Sequence, residues 1–155
     1  MKNKKIYYWV CDKSENTGEG KLALFYIKKL KKKFIITEIK KPMFKSKFLN
    51  KFVSYKYIIP FLGIFFCWKY FFDNKKVCYI NYLPLWNFLI FLLLPPNSHI
   101  GPITGGANYA KNSSIIRKFL FPIFYKISEI ILIFRNFDLL FSTDLLKKYL
   151  NKNTI

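Results

Sequence analysis

The chain predicts an α/β domain: a parallel sheet with helices on both faces. Three observations lead there. Short apolar, β-prone runs recur at residues 6–10, 34–39, 77–80, 98–101 and 138–142. Longer segments with apolar residues at helical spacing lie between them. Glycine is used only six times in 155 residues, and five of the six follow the first strand or close the fourth, at Gly18, Gly20, Gly101, Gly105 and Gly106. Ligands of such sheets gather at the carboxyl ends of the strands. A scarce residue placed there marks sharp turns or close approach of a ligand to the backbone.

The elements follow in order. Ile6-Tyr7-Tyr8-Trp9-Val10 reads as a buried first strand. Residues 11–20 are a polar loop. From Lys21 the period changes: Leu22, Phe25, Tyr26, Lys29 and Leu30 form a helical stripe, and the lysines of 28–33 suit a helix C-terminus. Residues 34–39 are the second strand. Residues 40–51 form a basic connection with Pro42, and 52–72 an aromatic helix in which Pro60 is a kink or a start. Residues 73–76 turn into the third strand at 77–80. An apolar helix over 83–94 stops at Pro95-Pro96, a short strand over 98–101 runs into the glycine loop, and 115–134 is a helix containing Pro122. A last strand over 138–142 leads to a helix over 144–150, capped by Ser142, Thr143 or Asp144.

The formal net charge is +19, with 25 of the 27 basic residues lysine. Lys, Ile, Asn, Phe and Tyr are also residues that AT-rich codons favour, so part of the basicity is compositional. The rest points to an anionic partner. Nucleic acid is not that partner: arginine, the residue suited to bidentate base and phosphate contacts, occurs only as Arg117 and Arg135, and no nucleic-acid-binding motif is present. Cys11, Cys67 and Cys78 form no CxxC pair and no metal-ligand pattern, which suits buried free thiols in a reducing cytoplasm. The basic start is followed by too short an apolar run for a secretion signal.

The rival reading is a small integral membrane protein without enzymatic activity. Residues 77–110 contain no Lys, Arg, Asp or Glu. Pro84, Pro95, Pro96 and Pro102 break that stretch, however, and its cleanest piece, 85–94, is ten residues where a span needs about 18–20.

Gly18-Glu19-Gly20 opens the first helix, where bare N–H groups and the helix dipole suit an anion or a sugar hydroxyl. The same residues also read as a flexible loop with a helix cap, Glu19 serving as the cap. They make neither a dinucleotide fingerprint nor a P-loop. Thr104, Gly105, Gly106 and Asn108 are the densest group of small and hydrogen-bonding residues, and read as a substrate loop or an ordinary tight turn. Asn81 and Tyr82 sit at the carboxyl end of the third strand. His99, the only histidine, is either a general base or a packed core residue.

In this order the chain resembles the N-terminal half of family-4-type glycosyltransferases of the GT-B fold. The residues that carry the resemblance are residues 6–30 with Gly18-Glu19-Gly20, the sequence from Leu85-Trp86 through Pro95-Pro96 to Gly101-Pro102-Ile103-Thr104-Gly105-Gly106, and the strand ending in Ser142-Thr143. The resemblance implies a Rossmann-like domain spanning 1–155 and transfer of a sugar from a nucleotide-sugar to a glycan or lipid-linked acceptor. It implies Gly18, Glu19, Gly20, Asn81, Thr104, Gly105 and Gly106 as substrate-binding residues, with no cofactor beyond the nucleotide-sugar substrate and no metal. Many relatives carry His after the third strand, where this chain has Asn81-Tyr82, so no catalytic base is assigned. The family's second, nucleotide-sugar-binding domain has no counterpart in the sequence. The resemblance therefore implies an acceptor-side half, inactive alone and completed by a separately encoded C-terminal domain, or a non-catalytic partner that completes its fold with another chain. A cytoplasmic place is expected, peripheral on the inner face of the membrane. The Lys-rich aromatic segment 40–70 either touches that anionic surface or is a solvated lysine face over a packed core.

Overall fold

The computed structural model describes residues 5–41, 55–105, 115–142 and 150, without the side chains of 55–57 and 115–118. Five strands form one all-parallel sheet flanked by helices, a Rossmann-like α/β arrangement. The strands are β1 (Lys5–Val10), β2 (Ile35–Glu38), β3 (Lys76–Pro84), β4 (His99–Thr104) and β5 (Asp138–Phe141), in the order β2-β1-β3-β4-β5. The helices among the described residues are α1 (Gly18–Lys31), α2 (Tyr55–Phe72), α3 (Phe88–Leu93) and α4 (Ile115–Phe134). None is long and apolar enough to cross a membrane. The chain divides into two compact units, Met1–Asn81 and Tyr82–Ile155.

In the first unit, β1 pairs with β2 from Lys5↔Ile35 to Tyr8↔Glu38 and with β3 from Ile6↔Lys76 to Val10↔Ile80. Ile6, Trp9, Val10, Val77, Cys78, Tyr79 and Ile80 are almost wholly buried, as expected of central parallel strands read as unbroken apolar runs. Helix α1 buries Ala23, Tyr26, Ile27 and Leu30 and places Lys28, Lys29 and Lys31 in its last turn. Helix α2 stacks Phe66 on Trp9 with ring centroids 5.6 Å apart. It keeps Pro60 inside its span. It ends where Asn74, at φ 56°, lets the Asn74 and Lys75 amides donate to the Phe71 and Tyr70 carbonyls at 2.9 and 3.0 Å. Asparagine tolerates that left-handed backbone better than most residues. Lys75 then lies 4.9 Å from the Tyr70 ring centroid and pairs with Asp73 at 3.0 Å.

In the second unit, two elements depart from the sequence reading. The expected helix over 83–94 is shorter: β3 runs on through Leu83 to Pro84, and the helix covers only Phe88–Leu93. Leu83 and Leu85 are fully buried, and the Leu85 amide donates to the Thr104 carbonyl at 2.8 Å, so extended chain satisfies this backbone. Leu94 is extended at φ −76° and ψ 149°, the conformation a following proline imposes. The glycine loop expected from Gly101 is instead strand as far as Thr104. Pro102, which has no N–H to give a ladder, sits where the β4–β5 register shifts between Ile100 and Ile103, after a cis Gly101-Pro102 bond.

Helix α4 ends like α2. Asn136, at φ 50°, and Phe137 donate to the Ile133 and Leu132 carbonyls at 3.0 and 3.4 Å. The Asn136 amide side chain donates to Asn97 Oδ1 at 3.0 Å, and Asn97 is itself left-handed at φ 56°. The Asn97 backbone amide donates to the Arg135 carbonyl at 2.9 Å. The two asparagines thus join the end of α4 to the approach to β4. The expected helix over 144–150 and the basic connection over 42–51 lie outside the described residues.

Candidate functional site

Parallel pairing brings the carboxyl ends of β1, β2 and β3 to one edge of the first unit. The chain leaving β1 there folds on itself through three short side chains. Asp12 Oδ1 accepts from the Ser14 amide at 2.8 Å, and Asp12 Oδ2 accepts from the Thr17 hydroxyl at 2.6 Å. Thr17 Oγ1 in turn accepts from the Gly20 amide at 3.0 Å, making Thr17, not Glu19, the cap of α1. Ser14 Oγ accepts from the Asn16 amide at 3.2 Å. The helix therefore begins at Gly18, where Gly18-Glu19-Gly20 is expected to open it, three residues before the apolar stripe.

This geometry separates the two glycines. Gly20 is buried, its amide is used by Thr17, and a Cβ there would overlap the Ser14 backbone, so it is a packing residue as well as part of the turn. Gly18 is exposed, with no atom within 4 Å of where a Cβ would point. Glu19 is exposed beside it.

The electrostatics are set by Asp12. A helix N-terminus attracts an anion by about 0.3–1 kcal/mol at an exposed site. A phosphate about 4 Å from a carboxylate is repelled by roughly 1 kcal/mol in bulk water and about 4 at an effective dielectric of 20. The Asp12 carboxylate at the helix start therefore works against binding of a second anion there. A neutral hydroxyl meets no such penalty and can donate to a carboxylate.

The rest of this edge is polar and internally paired. Lys13 Nζ reaches both carboxylate oxygens of Glu38 at 2.9 Å, and Glu38 Oε2 also accepts from the Tyr8 hydroxyl at 3.2 Å. Burial, reinforced by the Glu38 charge, pushes the Tyr8 phenol up to about 12. Lys41 Nζ donates to the Cys11 carbonyl at 3.0 Å. Burial pushes the Cys11 thiol up to about 11, so it is neutral at physiological pH and not an activated nucleophile. Asn81, half-buried just beyond the last β1–β3 register pair, donates through Nδ2 to the Tyr79 hydroxyl at 3.4 Å.

The second unit holds the other expected residues. Gly105 follows β4 directly, and its carbonyl accepts from the Tyr125 hydroxyl of α4 at 2.7 Å. Thr104 is buried, with no hydrogen-bond partner for its hydroxyl among the described residues. His99 opens β4, at the end of that strand away from Thr104, and is buried with Nδ1 3.2 Å from Asp138 Oδ2 on β5. That position fits a packed strand residue and not a base at the carboxyl edge.

Gly18, Glu19, Gly20 and Asn81 therefore lie in the first unit, and Thr104 and Gly105 in the second. Gly106 and Asn108 lie outside the described residues. Asp12 and Thr17 emerge only from the structure, although an Asp followed by Ser at the second position and Thr at the fifth is the local signal for such a turn. Among the described residues no group of three or more His, Cys, Asp or Glu could hold a metal ion. Comparison of the chain with protein-family models, curated proteins and solved structures gives no match.

Proposed function

We propose that the chain is the acceptor-side half of a sugar-transferring enzyme, of the kind its motif order resembles. It would hold a glycan or lipid-linked acceptor while a separately encoded domain holds the nucleotide-sugar. One observation supports the acceptor assignment above the rest: Asp12 fills the start of α1 with a carboxylate hydrogen-bonded to Thr17 and Ser14. On this reading the edge favours hydroxyl donors over a diphosphate. The exposed pair Gly18-Glu19 offers a further carboxylate and an open backbone beside it. Asn81 adds an amide, and Thr104, Gly105 and Gly106 remain candidate substrate-binding residues of the second unit, taken by itself. In the transfer step the acceptor oxygen bonds to the anomeric carbon as the bond to the diphosphate breaks. The leaving charge is stabilised by cations and dipoles, which this reading assigns to the domain that holds the nucleotide-sugar. The work is cytoplasmic, on the inner face of a membrane.

Saturation-transfer NMR on the purified chain tests the ligand class. The reading expects signal transfer to methyl and octyl glycosides below their micellar concentration, and none to UDP-hexose or GDP-hexose at equal concentration. Transfer to the nucleotide-sugars but not to the glycosides would reverse the assignment.

A further inference from the structure

We infer that the outward face of α3 and α4 in the second unit is a docking surface for an anionic lipid bilayer. The inference shares with the proposed function a place at a membrane and names the surface that meets it, without depending on sugar transfer. Phe119, Ile123, Lys126, Ile130, Ile133 and Phe134 recur at helical spacing along one side of α4, and all are exposed. Phe119 is 73% and Phe134 88% exposed, so these are whole side chains in water rather than the rim of a core. The other side of α4 buries Tyr125, Ser128, Glu129 and Leu132. Helix α3 adds exposed Leu89, Leu92 and Leu93. The two helices pack as one layer: the Phe88 and Phe124 rings lie 5.4 Å apart, and the Arg135 guanidinium donates to the Leu92 and Leu94 carbonyls at 2.7 and 3.0 Å.

Charge selects the occupant. The only acidic residue of the two helices, Glu129, is 2% exposed and is held by Lys126 at 2.8 Å, so the outward face presents apolar groups and no exposed carboxylate of its own. Residues 82–155 hold eight Lys or Arg against three acidic residues, and the whole chain is +19. A second copy on this face would set two strongly cationic chains against each other, which net charge of this size opposes. An anionic headgroup layer attracts the same cations, and the apolar side chains can enter the acyl boundary. A helix of 20 residues, about 30 Å long, would lie in the plane of the interface. That explains an exposed apolar surface that monomers rarely leave uncovered.

Vesicle flotation tests this. The chain is expected to float with phosphatidylglycerol vesicles and to bind pure phosphatidylcholine vesicles about tenfold more weakly. The triple variant I123Q/I130Q/F134Q should lose about tenfold or more of the phosphatidylglycerol binding. Phe25→Gln, at an exposed aromatic on α1, should leave it unchanged. Circular dichroism monitors folding of the variants. Should the triple variant be misfolded, an environment-sensitive fluorophore on Ile130→Cys takes its place and must shift to the blue with phosphatidylglycerol vesicles. Equal binding to both lipids, unchanged binding by a folded triple variant, or no fluorophore shift overturns the inference. So does a concentration-dependent dimer that the triple variant abolishes.

Discussion

The Tyr79 hydroxyl donates to the Pro60 carbonyl at 3.1 Å, tying a fully buried residue of β3 to α2. The same oxygen accepts from Asn81 Nδ2 at 3.4 Å, so the half-buried candidate residue is positioned by the buried one behind it. Burial holds the phenol neutral, its pKa raised well above the usual tyrosine value. Cys11 Sγ donates to this hydroxyl as well at 3.8 Å, so Tyr79→Phe keeps the ring and removes three bonds, leaving a carbonyl, an amide and a thiol to seek new partners. Urea denaturation should show a loss of about 1–2 kcal/mol. An unchanged midpoint would mean that the hydroxyl contributes no net stability.

Gly63 is where α2 meets the Trp9 indole, and a Cβ there would overlap the indole ring. Helix propensity alone would make Gly63→Ala stabilising by up to about 1 kcal/mol. Overpacking a rigid contact costs about 1–3 kcal/mol, and Trp9 is fully buried with Phe66 stacked on it. The variant should therefore be less stable than the parent in thermal or urea unfolding, and Trp9→Phe in the same chain should recover part of the loss. A stabilised Gly63→Ala chain would mean that the indole moves freely.

The raised acid groups give the fold an alkaline limit. Burial moves Cys11 from an ordinary value of 9.0 to about 11, and Tyr8 from 10.0 to about 12. Well below pH 9, at about pH 7, both are neutral whether folded or unfolded, and the stability they contribute is fully present. Above about pH 9 the unfolded chain ionises first, so stability falls as pH rises from about 9 through 11 and on towards 12. Urea midpoints measured from pH 7 to 11 should be level at first and then decline. Cys11→Ser should reduce the decline between 9 and 11. A level profile to pH 11 contradicts the burial of these groups.

Thr17 joins Asp12 to the helix, giving its proton to the carboxylate and taking the Gly20 amide. Thr17→Val removes both bonds at nearly constant volume and should cost about 1–2 kcal/mol. Thr17→Ser retains both and should stay within about 0.5 kcal/mol of the parent. Equal losses from the two variants would show that the methyl group, not the hydroxyl, matters.

How much could be read in the sequence follows from how much each residue's setting depends on distant chain. Strands β1 and β2 were legible because unbroken apolar runs flanked by lysines or turn residues leave few alternatives. The first helix was legible in its stripe and in the glycines that open it but not in its cap, since Asp12 and Thr17 meet through a turn whose residues also serve in ordinary loops. Residues 83–94 misled because a run apolar but for Asn87 has no period. Only the partner of the Leu85 amide, the Thr104 carbonyl, decides that the chain is extended there. Gly101-Pro102 looked like the end of a strand, whereas a register shift accommodates the pair inside one. At the candidate site the glycines could be singled out by scarcity. Their separation into a packed Gly20 and an open Gly18 depends on where the Ser14 backbone lies.

The central claim is that the start of α1, already holding the Asp12 carboxylate, receives hydroxyl groups and not phosphate. Backbone amide and side-chain carboxyl NMR shifts, followed through separate titrations with an alkyl glycoside and with UDP, address it directly. The account predicts that the glycoside moves the amides of Gly18 and Glu19 and the carboxyl carbon of Asp12, while UDP leaves residues 12–20 unchanged. Movement of that loop by UDP, or its silence toward the glycoside, would contradict it.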